Sequence, residues 1–329
     1  ACWPPMSASK FRCRSRYPGA LHRLPPMLEI HDVRLALDAK AALAECPLWS
    51  VAEQKLYWVD ISGCAINRFD PPTGKNERWP MPCEPGCIAL AASGGLVAAL
   101  RDGFYRFYPA DAQLKKIADA PYDTTTMRFN DGRCDAVGRF WAGAMYEPRT
   151  AELASVYCLE RGKVRKGWGP DDKRGVKVSN GMAFTADGRH VFQSDTPNHV
   201  IYQFAFDAVA GTVSERREFA RLPDNRTDAN YGGRPDGAAI DAVGNYWSAQ
   251  YEGSRVLRYS TEGEITGVIH LPSKRVTMVA FGGADLRTLY ITTARDGATE
   301  NELMTDTYAG GIFACDMDIP GRAEPLYLD

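Results

Sequence analysis

Asn180-Gly-Met-Ala-Phe-Thr-Ala-Asp-Gly-Arg-His-Val-Phe-Gln-Ser-Asp195 is a short apolar run, a tight polar turn at Asp187-Gly188, and a second apolar run ending in small and acidic residues. The same phrase recurs from Cys46 to Asp60, Cys87 to Leu100, Asp131 to Gly143, Asp236 to Ala249 and Val279 to Thr293. Its turns fall near Glu53, Ser93, Val137, Asp187, Val243 and Asp285. That is mostly the spacing of roughly 40–50 residues at which four strands make one propeller blade. The repeat predicts an all-β chain: a six-bladed β-propeller with four-stranded antiparallel blades.

Segments within and between the repeats agree. Leu56–Asp60, Ala65–Phe69, Phe104–Tyr108, Val200–Phe206 and Arg255–Tyr259 are short, rich in β-branched or aromatic residues, and bounded by Gly, Pro, Asp or Thr, which predicts strands. Asp70-Pro-Pro-Thr-Gly74 and Thr261-Glu-Gly263 supply further hairpin turns, and no segment sustains a helical period. Trp49, Trp58, Trp141 and Trp247 recur where blades pack, so we read them as core rather than as sugar-stacking platforms.

Residues 1–26 have no repeat partner. They carry Lys10, Arg12, Arg14, Arg16 and Arg23 with no acid before Glu29, and five prolines. We expect a disordered basic extension over 1–26, upstream of a natural start at Met27, and a propeller domain over 27–329; a transit peptide is the weaker reading. With those five positive charges removed the formal charge falls from −2 to −7, a poor match to nucleic acid. No apolar run reaches the ~18–20 residues of a membrane helix. The nine cysteines are odd in number and scattered, and the Cys83-x3-Cys87 pair lacks a Cys/His partner pair for zinc. This usage fits the reducing cytoplasm. The partner expected is a small molecule, not nucleic acid or membrane, in a monomer or weak homo-oligomer.

In a propeller the innermost strand of each blade lines the axial channel, so chemistry is expected where each repeat begins. Four of the six copies carry there Glu45, Asn130-Asp131, Asn180 and Asp236. Asn-Gly and Asp-Gly pairs usually mark turns. Asn180-Gly181 and Asp236-Gly237 instead stand at the entry to the first apolar run, where glycine allows close backbone approach. Two carboxylates and an amide oxygen from different blades make an all-oxygen site suited to one hard divalent cation, and unneutralised they would raise one another's pKa. A serine nucleophile lacks support, because there is no Gly-x-Ser-x-Gly elbow and His22, His31, His190, His199 and His270 show no Ser/Asp pairing. Asp60 and Asp195 end second strands in equivalent positions and are read as strand-end caps, and Asp296-Gly297 as a loop near the channel.

Five ordered motifs, Glu45-Cys-Pro-Leu-Trp49, Arg128-Phe-Asn-Asp-Gly132, Ser179-Asn-Gly-Met182, Pro235-Asp-Gly237 and Ala309-Gly-Gly-Ile-Phe313, resemble those of the SMP-30/gluconolactonase/regucalcin family over nearly all the chain beyond the extension. The resemblance implies a propeller around a central metal site holding one divalent cation (Ca, Zn, Mn or Mg) on Glu45, Asn180 and Asp236. It also implies Asp236 as catalytic base, and Arg128, Asn130 and Glu147 as substrate contacts, with Tyr146 the alternative to Glu147. The expected activity is metal-dependent hydrolysis of a sugar (aldono) lactone by activated water. The alternatives are a regucalcin-type calcium-binding regulator, an esterase or phosphotriesterase on the same cation, and a protein-binding platform. The Arg128/Asn130 pair favours the enzyme, since a cation sensor has no use for it.

Overall fold

A computed structural model describes residues 27–329; the expectations for residues 1–26 lie outside the described residues. Among the described residues the strands form six sheets whose innermost members contact one another in a closed ring, as the repeat predicts. Blade 1 is Ala44–Ser50, Lys55–Asp60, Ala65–Asp70 and Lys75–Pro80, and blade 2 is Pro85–Leu90, Leu96–Leu100, Gly103–Tyr108 and Gln113–Asp119. Blade 3 runs from Met127–Cys134 to Lys163–Trp168 and blade 4 from Ser179–Phe184 to Thr212–Arg221. Blade 5 runs from Arg234–Ile240 to Ile265–His270, and blade 6 opens with Val276–Gly282, Thr288–Thr293 and Ile312–Asp316.

Two short N-terminal strands finish the ring. Arg34–Leu37 is the outer, antiparallel strand of blade 6, which thereby joins the two ends of the propeller. Leu28–Ile30 adds in parallel to the outer strand of blade 5, so that blade has five strands. Closure by a distant strand leaves no open edge at the seam where the ring would otherwise split.

The hairpin turns have a repeated local cause. Asp135 accepts the backbone amides of Val137 and Arg139 through Oδ1 and the Trp141 indole through Oδ2, at 2.9 Å. Asp241 does the same for Val243, Asn245 and the Trp247 indole in blade 5. One carboxylate thus sets the turn and fixes the tryptophan that packs the blade. Trp49, Trp58, Trp141 and Trp247 are all buried in apolar clusters, as expected, and burial of such a side chain contributes about 2–3 kcal/mol. Asp60 and Asp195 act as caps, accepting amides of Leu43 and Gly63, and of Lys177 and Val178.

One helix, Glu300–Thr305, was not expected. It buries no residue and so has no apolar period to read, but Thr299 and Glu302 close its first turn as a reciprocal capping box.

The feature that positions the site is shared by all six innermost strands. Each loses register with its neighbour near the channel, between Glu45 and Leu48, Pro85 and Cys87, Phe129 and Gly132, Asn180 and Ala183, Pro235 and Ala238, and Val276 and Met278. A bulge bends the strand and re-aims the residues it frees. Asn130-Asp131 and Asp236-Gly237 fall inside such gaps, while Glu45 and Asn180 are the last paired residues before theirs. Gly181 takes φ 59°, and a Cβ there would overlap the Tyr246 and Ser194 hydroxyls. The close approach lets the Tyr246 hydroxyl donate to the Gly181 carbonyl at 2.8 Å, which joins blades 4 and 5. The Asn-Gly pair is therefore a bulge, not a hairpin turn.

Candidate active site

A cavity of about 560 Å³ opens at one end of the channel, a volume suited to a small-molecule ligand. Glu45, Arg128, Asn130, Glu147, Asn180 and Asp236 all border it, so blades 1, 3, 4 and 5 contribute together. Tyr146 is not among the lining residues. Asp296 and Gly297 border the cavity too, where a loop near the channel was expected.

A chain of hydrogen bonds fixes the amide groups. The Arg128 guanidinium donates to Asn130 Oδ1 at 2.8 Å and to the Phe129 carbonyl at 2.9 Å. Asn130 Nδ2 donates to Asn180 Oδ1 at 2.6 Å and to the Ser179 carbonyl at 3.0 Å. Asn180 Nδ2 donates to Thr196 Oγ1 at 2.8 Å, and that hydroxyl donates to the Pro235 carbonyl at 2.8 Å, one residue before Asp236. With its nitrogen engaged, Asn180 can turn only its oxygen to the cavity, and that oxygen keeps a second lone pair. Sequence reading missed Thr196, which carries no repeat signature.

The carboxylates are differently placed. Glu45 and Asp236 are 6% and 5% exposed, so each is nearly stripped of water. Glu45 accepts only its neighbour's amide, Cys46 N at 3.4 Å, and Asp236 has no hydrogen-bond donor among the described residues. Burial raises the pKa of both. The Asp236 and Asp131 charges add to the rise at Glu45, while Arg234 opposes the rise at Asp236 and Asp131 adds to it. Asp131, also buried, is pushed up to about 6, but both its oxygens are in use, accepting Gly132 N at 2.7 Å and Met182 N at 2.8 Å. It ties blade 3 to blade 4 and is a positioning residue whose charge bears on the pair.

Buried polar groups ordinarily find partners, and Asp236 without a donor and Glu45 with one long bond, beside an oriented amide oxygen, could together hold a cation. The donor set is all oxygen, from Glu45, Asn180 and Asp236, and it fits a hard divalent ion. A second cluster, Glu29, His31 and His270, has ligand atoms within 4.8 Å of one another, but it is exposed on the outer edge of blade 5 and does not border the cavity.

Arg128 is buried and belongs to no ion pair among the described residues; its bonds go to neutral oxygens. Burial lowers its pKa, yet a guanidinium stays charged. Glu147 differs: Arg101 grips both its oxygens at 2.8 and 2.9 Å and those of Glu84 at 2.8 Å each, and this pairing lowers the Glu147 pKa. It faces the cavity as a fixed, ionised acceptor.

Residues 43–295 match the family model described as the SMP-30/Gluconolactonase/LRE-like region. The chain is 45% identical over 293 residues to a 6-deoxy-6-sulfogluconolactonase of Pseudomonas putida, covering 87% of this chain and 95% of the relative. It is 34% identical to a pentonolactonase of Haloferax volcanii, covering 89% and 97%. In fold it is similar to a solved calcium-binding protein, regucalcin, of Agrobacterium tumefaciens, with a TM-score of 0.84 over 92% of this chain and 99% of that one, at 24% identity.

Proposed function

The chain belongs to the SMP-30/gluconolactonase/LRE-like family, and from that membership and its cavity we propose that it is a sugar lactonase that hydrolyses an aldonolactone to the aldonic acid with a divalent cation on Glu45, Asn180 and Asp236. The observation that carries the reading is the pairing, in one cavity, of two buried carboxylates, Asp236 with no donor and Glu45 with only the Cys46 amide, with a buried guanidinium that has no carboxylate partner.

The chain's residues divide the work. When bound, a divalent cation supplies positive charge that polarises the lactone carbonyl and stabilises the oxyanion that develops on it. Asp236, which no donor occupies, accepts the proton of the attacking water, and hydroxide adds to the carbonyl carbon. The bond to the ring oxygen then breaks, that oxygen takes up the proton held by Asp236 and becomes a hydroxyl, and the acid is released, with no ester formed to the protein. Arg128 and Asn130 hold sugar hydroxyls by forked and single hydrogen bonds, with Asn130 locked between Arg128 and Asn180. Glu147, kept ionised by Arg101, accepts from a further hydroxyl. A cation regulator without turnover would need the carboxylates but gives no reason to bury Arg128 among neutral oxygens.

The test is a pH-indicator screen of pentonolactones and hexonolactones on chelated protein with Ca, Mg, Mn or Zn restored in turn. Chelation is expected to remove turnover and at least one cation to restore it. Full turnover by the chelated protein overturns the cation's role, and no lactone turned over under any condition overturns the lactonase reading.

A further inference from the structure

The cavity mouth carries more positive charge than a neutral sugar needs. Arg149, Arg226 and Arg234 border it together, beside Tyr251 and Glu252. Arg226 and Arg234 share the single Glu252 carboxylate, at 2.6 and 3.2 Å. Arg149 takes part in no ion pair or side-chain hydrogen bond among the described residues, and its backbone stands at φ 57° just after Pro148, where a turn closes from Arg149 N to the Tyr146 carbonyl at 2.9 Å. Arg234 stacks on the Tyr251 ring at 5.2 Å, and its Nε is buried without a hydrogen-bond partner. Three guanidiniums thus stand beside the one carboxylate, Glu252, that pairs with any of them; of the other acids bordering the cavity outside the cation set, Asp296 lies where its backbone carbonyl accepts from the Tyr251 hydroxyl, and Glu84 and Glu147 are both held by Arg101.

Depth sets what this charge can touch. Glu45, Asn180 and Asp236 lie buried below, whereas Arg226 is about half exposed and Arg149 is exposed on a loop. A lactone whose carbonyl reaches the buried carboxylates therefore leaves its opposite end among the arginines. Guanidiniums bind planar or tetrahedral oxyanions by paired, charge-assisted hydrogen bonds, and a second positive charge beside the first adds to the attraction.

We propose that Arg149, Arg226 and Arg234 form a subsite for an oxyanion, a sulfonate or phosphate, on the end of the lactone remote from its carbonyl, which makes the chain selective for anionic sugar lactones. This rests on the lactonase reading for the placement of the carbonyl. Arg226 and Arg234 can turn from Glu252 to the ligand, or hold it jointly with that carboxylate as a spacer, while Arg149 contributes an unshared charge.

The test compares binding of gluconate, 6-phosphogluconate and 6-deoxy-6-sulfogluconate by calorimetry on the full chain, beside hydrolysis of the three corresponding 1,5-lactones. The 6-anions are expected to bind at least about tenfold more tightly than gluconate, and their lactones to show a KM lower by a similar factor. The tighter of the two identifies the oxyanion. In Arg149→Gln and Arg226→Gln the ratio of 6-anion to gluconate affinity, and of anionic to neutral lactone kcat/KM, is expected to fall most of the way to one. Equal affinity for gluconate and both 6-anions, or a preference that survives both substitutions, overturns the subsite. A preserved binding preference with no turnover of any lactone overturns the lactonase reading and leaves the subsite standing.

Discussion

Asp236→Asn is expected to lower kcat by about 100- to 10,000-fold at saturating cation, the range over which a positioned base contributes. The substitution keeps an oxygen in place but removes the basicity, so cation binding weakens while turnover is lost. Asp236→Ala removes both the oxygen and one of the two charges, and is expected to abolish turnover and most cation affinity together. The contrast follows from the position of the residue. Asp236 sits in the gap where the innermost strand of blade 5 loses register, is nearly sealed from solvent, and has no donor to satisfy it. Its removal costs the fold little, since it holds nothing else in place, and the melting temperature is expected to hold or rise. Full activity in either variant removes Asp236 from the mechanism.

Arg128→Ala is the second large effect expected, a fall in kcat/KM of about 10- to 100-fold with cation content unchanged, as hydrogen bonds from a charged donor are worth about 1.5–3 kcal/mol. The guanidinium has no carboxylate partner and donates to Asn130 Oδ1 and the Phe129 carbonyl, so alanine frees Asn130 to tilt away from the substrate. Lysine is not expected to rescue it, since a point charge cannot serve Asn130 and a substrate hydroxyl in one plane. Loss of the cation in Arg128→Ala, measured by metal analysis of the purified variant, contradicts the placement of Arg128 on the substrate side.

Most of the fold was legible because a blade is a local object. Each apolar run, turn and second run lies within about fifteen residues, and the strand expected at Val200–Phe206 is found at Val200–Asp207. Closure of the ring was not legible. Arg34–Leu37 pairs with Ile312–Asp316, almost the whole chain away, and four residues carry too little alternation to name a partner. The axial polar residues could be read from their place at the start of each repeat, but the reason they face inward, a register slip in every innermost strand, leaves only the glycines as a trace. Glu147 was legible as a lining acid, not as one gripped by Arg101, a residue 46 positions away. Arg149 and Arg226 stand on loops outside the repeat, so no periodic signal marks them, and they emerged only when the cavity was seen whole.

Everything depends on whether Glu45, Asn180 and Asp236 share one ion. Crystals grown after chelation and soaked in manganese, with diffraction collected at its absorption edge, address this directly. One anomalous peak is predicted in the cavity, with oxygens of all three side chains in its coordination sphere. A cavity without a peak, or a peak only at the exposed Glu29, His31 and His270 cluster, contradicts the account.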